Sequence, residues 1–169
     1  MMQLEPPAGV VPRGRVLCIQ PLSEEANLSR RVLVAMAAEM ARQGWIVAIP
    51  DLFGMGDSDG DSEDITLATW RADLDRLARE GATGPDSPRP DTPLVLWGVR
   101  SGCALAVDLL ARSEASVDAL LLWQPVGASF AAPAKLRLSG ASHEVSTEPD
   151  ASTDTEERIV VVDGYRYRR

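Results

Sequence analysis

Histidine is almost missing from this chain. His143 is the only one among 169 residues, and it sits in a polar stretch. A histidine-based metal cluster is thereby excluded, and no Cys and carboxylate grouping with ligand spacing replaces it. Cysteine is nearly as scarce. Cys18 and Cys103 are the only two, each set among apolar neighbours, which reads as a pair of packed thiols in a cytoplasmic protein rather than a disulfide. Aromatic residues make up 5% of the chain, so a core has to come from Leu, Val, Ala and Ile. Basic residues are outnumbered: 17 Lys and Arg face 25 Asp and Glu, for a net charge of −8. Without a basic stripe to neutralise phosphates, nucleic acid and anionic membrane surfaces are excluded as partners. No apolar run reaches the roughly 18–20 residues of a membrane span. The start, Met1-Met2-Gln3-Leu4-Glu5-Pro6-Pro7, has neither the basic opening nor the apolar stretch of a signal peptide.

What is present is an alternation of short apolar runs and helical periodicity. The runs are Arg15 to Gln20, Trp45 to Ile49, Leu94 to Trp97 and Asp118 to Trp123. Between them, Leu28 to Gln43 reads as a helix with Val32, Leu33, Met36, Ala37 and Met40 on one face, stopped by Gly44. Ile65 to Glu80 reads as a second helix, with Leu67, Trp70, Leu74, Leu77 and Ala78 as its apolar stripe. A third begins at Cys103. The runs show no period-two alternation, so they read as strands buried on both faces of a parallel sheet. Strand–helix alternation at this spacing predicts a three-layer α/β fold with a mostly parallel sheet. Right-handed crossovers then bring residues 21–27, 51–62, 98–102 and 124–130 to one sheet edge, where such folds bind ligands.

The last third has a different character. Residues 1–138 read as the α/β core and 139–157 as an acidic Ser/Thr-rich linker. Residues 158–169 form a C-terminal strand, Ile159 to Val162, with a basic tail. That strand is expected either to extend the sheet or to pair with a second copy of the chain.

Gly98-Val99-Arg100-Ser101-Gly102 has the glycine spacing of a nucleophile elbow, G-x-S-x-G, between a strand and a helix. Arg100 occupies the position of the nucleophile. A guanidinium cannot attack a carbonyl, but beside a helix N-terminus it suits an anion. The alternative is that Arg100 pairs with local acids and holds loops together. Glu24 and Glu25, in the turn after the first of these runs, reach the same crevice as ligand-binding groups, as a paired acid and base, or more simply as the charge partner of Arg100. Ser101 and Cys103 are the fallback nucleophiles, as in an esterase or thioesterase; Cys103 lies where a helix dipole can lower a thiol pKa. His143 follows in the chain order a triad needs, although it lies in the polar stretch. Each of the three also reads as an ordinary structural or solvated residue. The loop Phe53 to Asp61 offers Asp57 and Ser58 as ligand groups or Asx-turn residues. Calcium binding by Asp57, Asp59 and Asp61 fails the EF-hand pattern, because its glycine and glutamate fall on Ser62 and Ala68. No residue pattern points to a metal or a cofactor.

PDLFGMGDSDGD, residues 50–61, resembles the P-D-x-x-G-x-G-x-S-x-G loop of α/β-hydrolases. EEANLSRR, LWGVRSG and LLWQPV together resemble the α/β-hydrolase-like proteins associated with bacterial exosortase systems, a subgroup of which carries Gly-x-Arg-x-Gly at the elbow. The resemblance covers roughly residues 13–138, and ERIVVVDGYRYRR weakly resembles the segment after the lid region. It implies an α/β-hydrolase fold, C-terminally truncated, linked to exopolysaccharide and protein-sorting systems. It also implies that the late strands carrying the acid and histidine of active relatives are missing. Only Arg100 is carried over, at the nucleophile position. The expected function is a homologue without a Ser-His-Asp triad that binds an anionic small molecule or peptide carboxylate. The alternatives are an esterase or thioesterase using Ser101 or Cys103, and a dimeric interaction module completed by exchange of the C-terminal strand.

Overall fold

The computed structural model describes residues 1–22, 24–80, 92–126, 159–162 and 165–168. The chain runs β1 (Met2–Leu4), β2 (Gly14–Ile19), α1 (Glu24–Arg42), β3 (Trp45–Ile49), a 3-10 turn (Ser62–Asp64), α2 (Leu67–Glu80), β4 (Leu94–Val99), α3 (Gly102–Arg112), β5 (Ala119–Trp123), β6 (Ile159–Val162) and β7 (Tyr165–Arg168). Five strands form one sheet in the order β1-β3-β2-β4-β5. β2, β3, β4 and β5 are parallel, and β1 pairs antiparallel with β3 at one edge. The fold is therefore of the α/β class, as the alternation of runs and helices predicts. β1 is too short, and too mixed in polarity, to stand out in the sequence.

The two faces of the sheet carry separate cores. On one, Leu17, Ile19, Leu94 and Leu96 pack with Trp70, Leu74 and Leu77 of α2 and with Leu105 and Leu109 of α3. On the other, Val16, Cys18, Val47, Ile49, Trp97 and Val99 pack with Leu33 and Ala37 of α1. α2 and α3 are fastened by charge as well. The Asp108 carboxylate accepts from Arg71 Nε at 3.0 Å and from Arg112 Nε at 2.6 Å, and Arg112 also pairs with Asp75.

Three expectations require correction. The buried face of α1 is Ala26, Leu33, Ala37 and Ala41, while Val32 and Met36 lie exposed; small residues let the helix sit close to the sheet, and the larger ones turn outward. β5 is not buried on both faces. Leu121 and Leu122 are exposed, because among the described residues no strand lies beyond it and little covers it. Finally, β6 does not join the main sheet. It pairs antiparallel with β7 in a separate two-stranded ribbon, Ile159 opposite Arg168 and Val162 opposite Tyr165. The proposed linker 139–157 lies outside the described residues.

Among the described residues no helix is long and apolar enough to cross a membrane.

Candidate functional site at the carboxyl edge of the sheet

β4 ends at Val99 and α3 starts at Gly102, so the chain reverses within two residues. This tightness explains the two glycines. A Cβ on Gly98 would stand 2.7 Å from Cys103 Cα, and one on Gly102 only 2.1 Å from the Ile19 carbonyl oxygen. Real side chains do not approach backbone that closely. Between the glycines, Arg100 is held at φ 53°, the left-handed region that costs a non-glycine residue about 1–2 kcal/mol. Its N–H donates to the Trp123 carbonyl at 2.9 Å, and its own carbonyl accepts from Cys103 N at 3.2 Å. Gln124 is the other non-glycine residue with positive φ among those described, at 49°. The two strained residues follow neighbouring strands, since Val99 pairs with Trp123. Strain persists where surrounding structure enforces it, and it collects at functional sites.

The Arg100 side chain meets Glu25 in the first turn of α1. Nη2 donates to Oε1 at 2.8 Å, and Nε reaches both carboxylate oxygens at 3.3 Å. Glu25 is well placed there, because a helix N-terminus favours an acidic side chain. The hydrogen bond to Glu25, and then its charge, hold the guanidinium above its ordinary pKa. Both side chains are partly exposed, at 41% and 44%, so solvent reaches the pair. Among the described residues no acceptor is placed on Nη1. Glu24 is exposed on the same turn without a part in this contact.

Ser101 faces inward. It is 2% exposed, and its Oγ accepts the Leu22 N–H at 2.9 Å. The hydroxyl thus braces the β2–α1 turn against the elbow instead of standing at the elbow's tip. Cys103 is also buried, and its thiol donates to the Trp123 carbonyl at 3.6 Å. Burial outweighs that contact's other effect and raises the thiol pKa, the opposite of the lowering expected from the helix dipole. Cys18 is pushed up to about 12 by burial. His143 lies outside the described residues.

Gln20 and Asp51 link the ends of β2 and β3, a contribution the sequence reading missed. Gln20 is 7% exposed, and its Nε2 donates to the Pro50 carbonyl at 2.9 Å and to Asp51 Oδ1 at 3.1 Å. Arg30 of α1 reaches the same carboxylate oxygen at 3.4 Å. The signal was available: a glutamine ending an apolar run has to find partners once buried. Among the described residues its Oε1 has no hydrogen-bond partner.

Asp57 and Ser58 line a cleft of about 280 Å³ with Asp51, Phe53, Asp59 and Arg76, and Arg100 is not among the described residues that line it. Ser58 Oγ donates to the Leu52 carbonyl at 2.5 Å, and Gly54 N–H donates to the Asp59 carbonyl at 2.9 Å. These bonds make the loop a self-braced turn. Among the described residues no group of three or more His, Cys, Asp or Glu side chains is gathered to hold a metal ion. Residues 127–130 lie outside the described residues.

The fold and the edge together define an α/β protein with a mostly parallel sheet and a strained strand–turn–helix elbow. No protein-family model matches the chain, and no curated protein matches it.

Proposed function

We propose that this chain is an α/β-hydrolase-fold homologue that works by binding rather than by triad catalysis, holding a small carboxylate or phosphate at Arg100. The observation that carries the reading is the Arg100 backbone at φ 53° between Gly98 and Gly102. A nucleophile elbow uses the same strained strand-to-helix turn to present its tip to the crevice, and here the presented group is a cation. Glu25 uses Nε and Nη2, which leaves the Nη1 side of the fork for an incoming anion. The Leu22 N–H comes from a turn that in such hydrolases helps to stabilise an oxyanion. It is taken by Ser101 Oγ, which disfavours acyl transfer at this elbow. The sequence resemblance adds a bacterial setting linked to exosortase and exopolysaccharide systems, and the composition favours a cytoplasmic location.

The test is a titration of wild type and Arg100→Ala with acetate and inorganic phosphate, followed by chemical-shift changes. Saturable shifts in wild type that vanish in the variant support the proposal. No binding by wild type, or equal binding by both proteins, defeats it.

A further inference from the structure

The C-terminal ribbon leans on one part of its own chain. A lone two-stranded hairpin is marginally stable in water, so β6 and β7 need a support besides each other. β7 (Tyr165–Arg168) lies alongside the 3-10 turn Ser62–Asp64. That turn closes the loop that follows β3, and the same loop supplies Asp57, Ser58 and Asp59 to the cleft.

The two sides of this contact carry opposite charge. Residues 57–64 hold five acids, Asp57, Asp59, Asp61, Glu63 and Asp64, and no base. Residues 165–169 hold three arginines and no acid, in a chain whose net charge is −8. Five like charges in so short a loop repel one another, and a cationic strand beside them offsets that repulsion. The register pairs Tyr165 with Val162 and Tyr167 with Val160, and Arg166 and Arg168 with Val161 and Ile159. By strand alternation the two arginines fall at positions on one face of the ribbon.

The loop gains from a support at this end. At its base the Phe53 N–H donates to Asp73 Oδ2 at 2.9 Å, and the Phe53 carbonyl accepts from Trp70 Nε1 at 3.0 Å. At its far end Ile65 enters the core. Between these anchors the loop bonds to itself, Gly54 N–H to the Asp59 carbonyl, Ser58 N–H to the Met55 carbonyl and Asp64 N–H to the Asp61 carbonyl. Segments held by such local bonds open at small cost. β7 meets this span from outside it.

We propose that the C-terminal ribbon is a charge-held clasp: β7 seats on the acidic turn of its own chain, steadies the loop that walls the cleft, and lets go when the charges are screened.

Hydrogen exchange of the full chain, read by mass spectrometry on residues 53–64 and 159–168, tests this. At low salt both segments should be protected, and protection should not change on dilution. Raising sodium chloride from about 0.1 M to about 1 M shortens the screening length from about 10 Å to about 3 Å. Exchange in both segments should then rise roughly 2- to 30-fold, the scale of two surface charge pairs. Arg166→Glu with Arg168→Glu should do the same at low salt. Adding Glu63→Arg and Asp64→Arg to that variant should restore protection. Exchange in α2 reports the integrity of the fold and should stay constant throughout; where a variant disturbs it, the salt series on wild type decides. A ribbon that exchanges freely at low salt overturns the proposal, as does a loop whose exchange ignores both salt and the arginine reversal. Failure of the fourfold variant to recover assigns the contact to packing rather than charge, and the proposal fails. Protection lost on dilution assigns β7 to a second copy, and the proposal fails again.

Discussion

Ser101→Ala separates a structural serine from a catalytic one. The Ser101 hydroxyl accepts the Leu22 N–H at 2.9 Å, and Ser101 and Leu22 are 2% and 3% exposed. Removing the oxygen takes from a buried backbone donor its partner. An orphaned buried donor costs about 1–3 kcal/mol, and the lost contact joins two turns 79 residues apart in sequence. For a chain of this size each kcal/mol lowers the melting midpoint by about 2–4 °C, so the expected drop is roughly 2–12 °C. Urea unfolding followed by tryptophan fluorescence, with Trp70 and Trp97 buried in the two cores, gives the free-energy change directly. Ester turnover assayed in parallel should be absent in wild type and variant alike. A variant within about 0.5 kcal/mol of wild type, the range of an ordinary surface change, refutes the reasoning. So does measurable wild-type hydrolysis abolished by the substitution.

Two further outcomes follow from the geometry. In the folded chain the Asp108 carboxyl lies below the usual carboxylate range, held there first by the Arg71 hydrogen bond and further by Arg112, against a partial opposing effect of burial. Its folded pKa is therefore lower than its unfolded value of about 3.9, and its contribution to stability is full above that value and lost as pH falls through the folded one. Asp108→Asn should lower the urea midpoint at pH 7 and flatten its decline below about pH 4; an unchanged acid limb contradicts the assignment. Cys18 and Cys103 are buried with raised pKa values, so iodoacetamide at pH 8 should modify neither in the folded protein and both in urea, with mass spectrometry as the readout. Rapid labelling of folded Cys103 contradicts this placement.

Most of the fold was legible because the parallel strands β2 to β5 are mainly apolar runs and α1 stops just short of Gly44. The α2 stripe of Trp70, Leu74, Leu77 and Ala78 is a strong periodic signal. α1 misled because Val32 and Met36 are larger than Ala37 and Ala41, yet close helix–sheet packing selects the small residues. β5 misled for another reason. Its composition is that of a central strand, and composition does not say whether a neighbour is present. At the site, the glycine spacing identified the elbow and Glu25 was a reasonable partner for Arg100. Ser101 bracing Leu22 could not be read, because it joins two turns distant in sequence. Asp57 and Ser58 were assigned to the same crevice because both loops follow strands. In the structure that loop lines a cleft with Asp51, Asp59 and Arg76.

The central claim is that Arg100 is an anion-binding group which Glu25 partly masks. It is tested most directly by the affinity for inorganic phosphate, at one fixed ionic strength, of wild type, Glu25→Gln, Arg100→Ala and the double variant. Exposed ion pairs are worth about 0.2–1 kcal/mol, so removing the Glu25 charge should tighten binding by about 1.4- to 5-fold. Arg100→Ala should abolish it in either background. Binding that survives in the double variant, or that weakens in Glu25→Gln, contradicts the account.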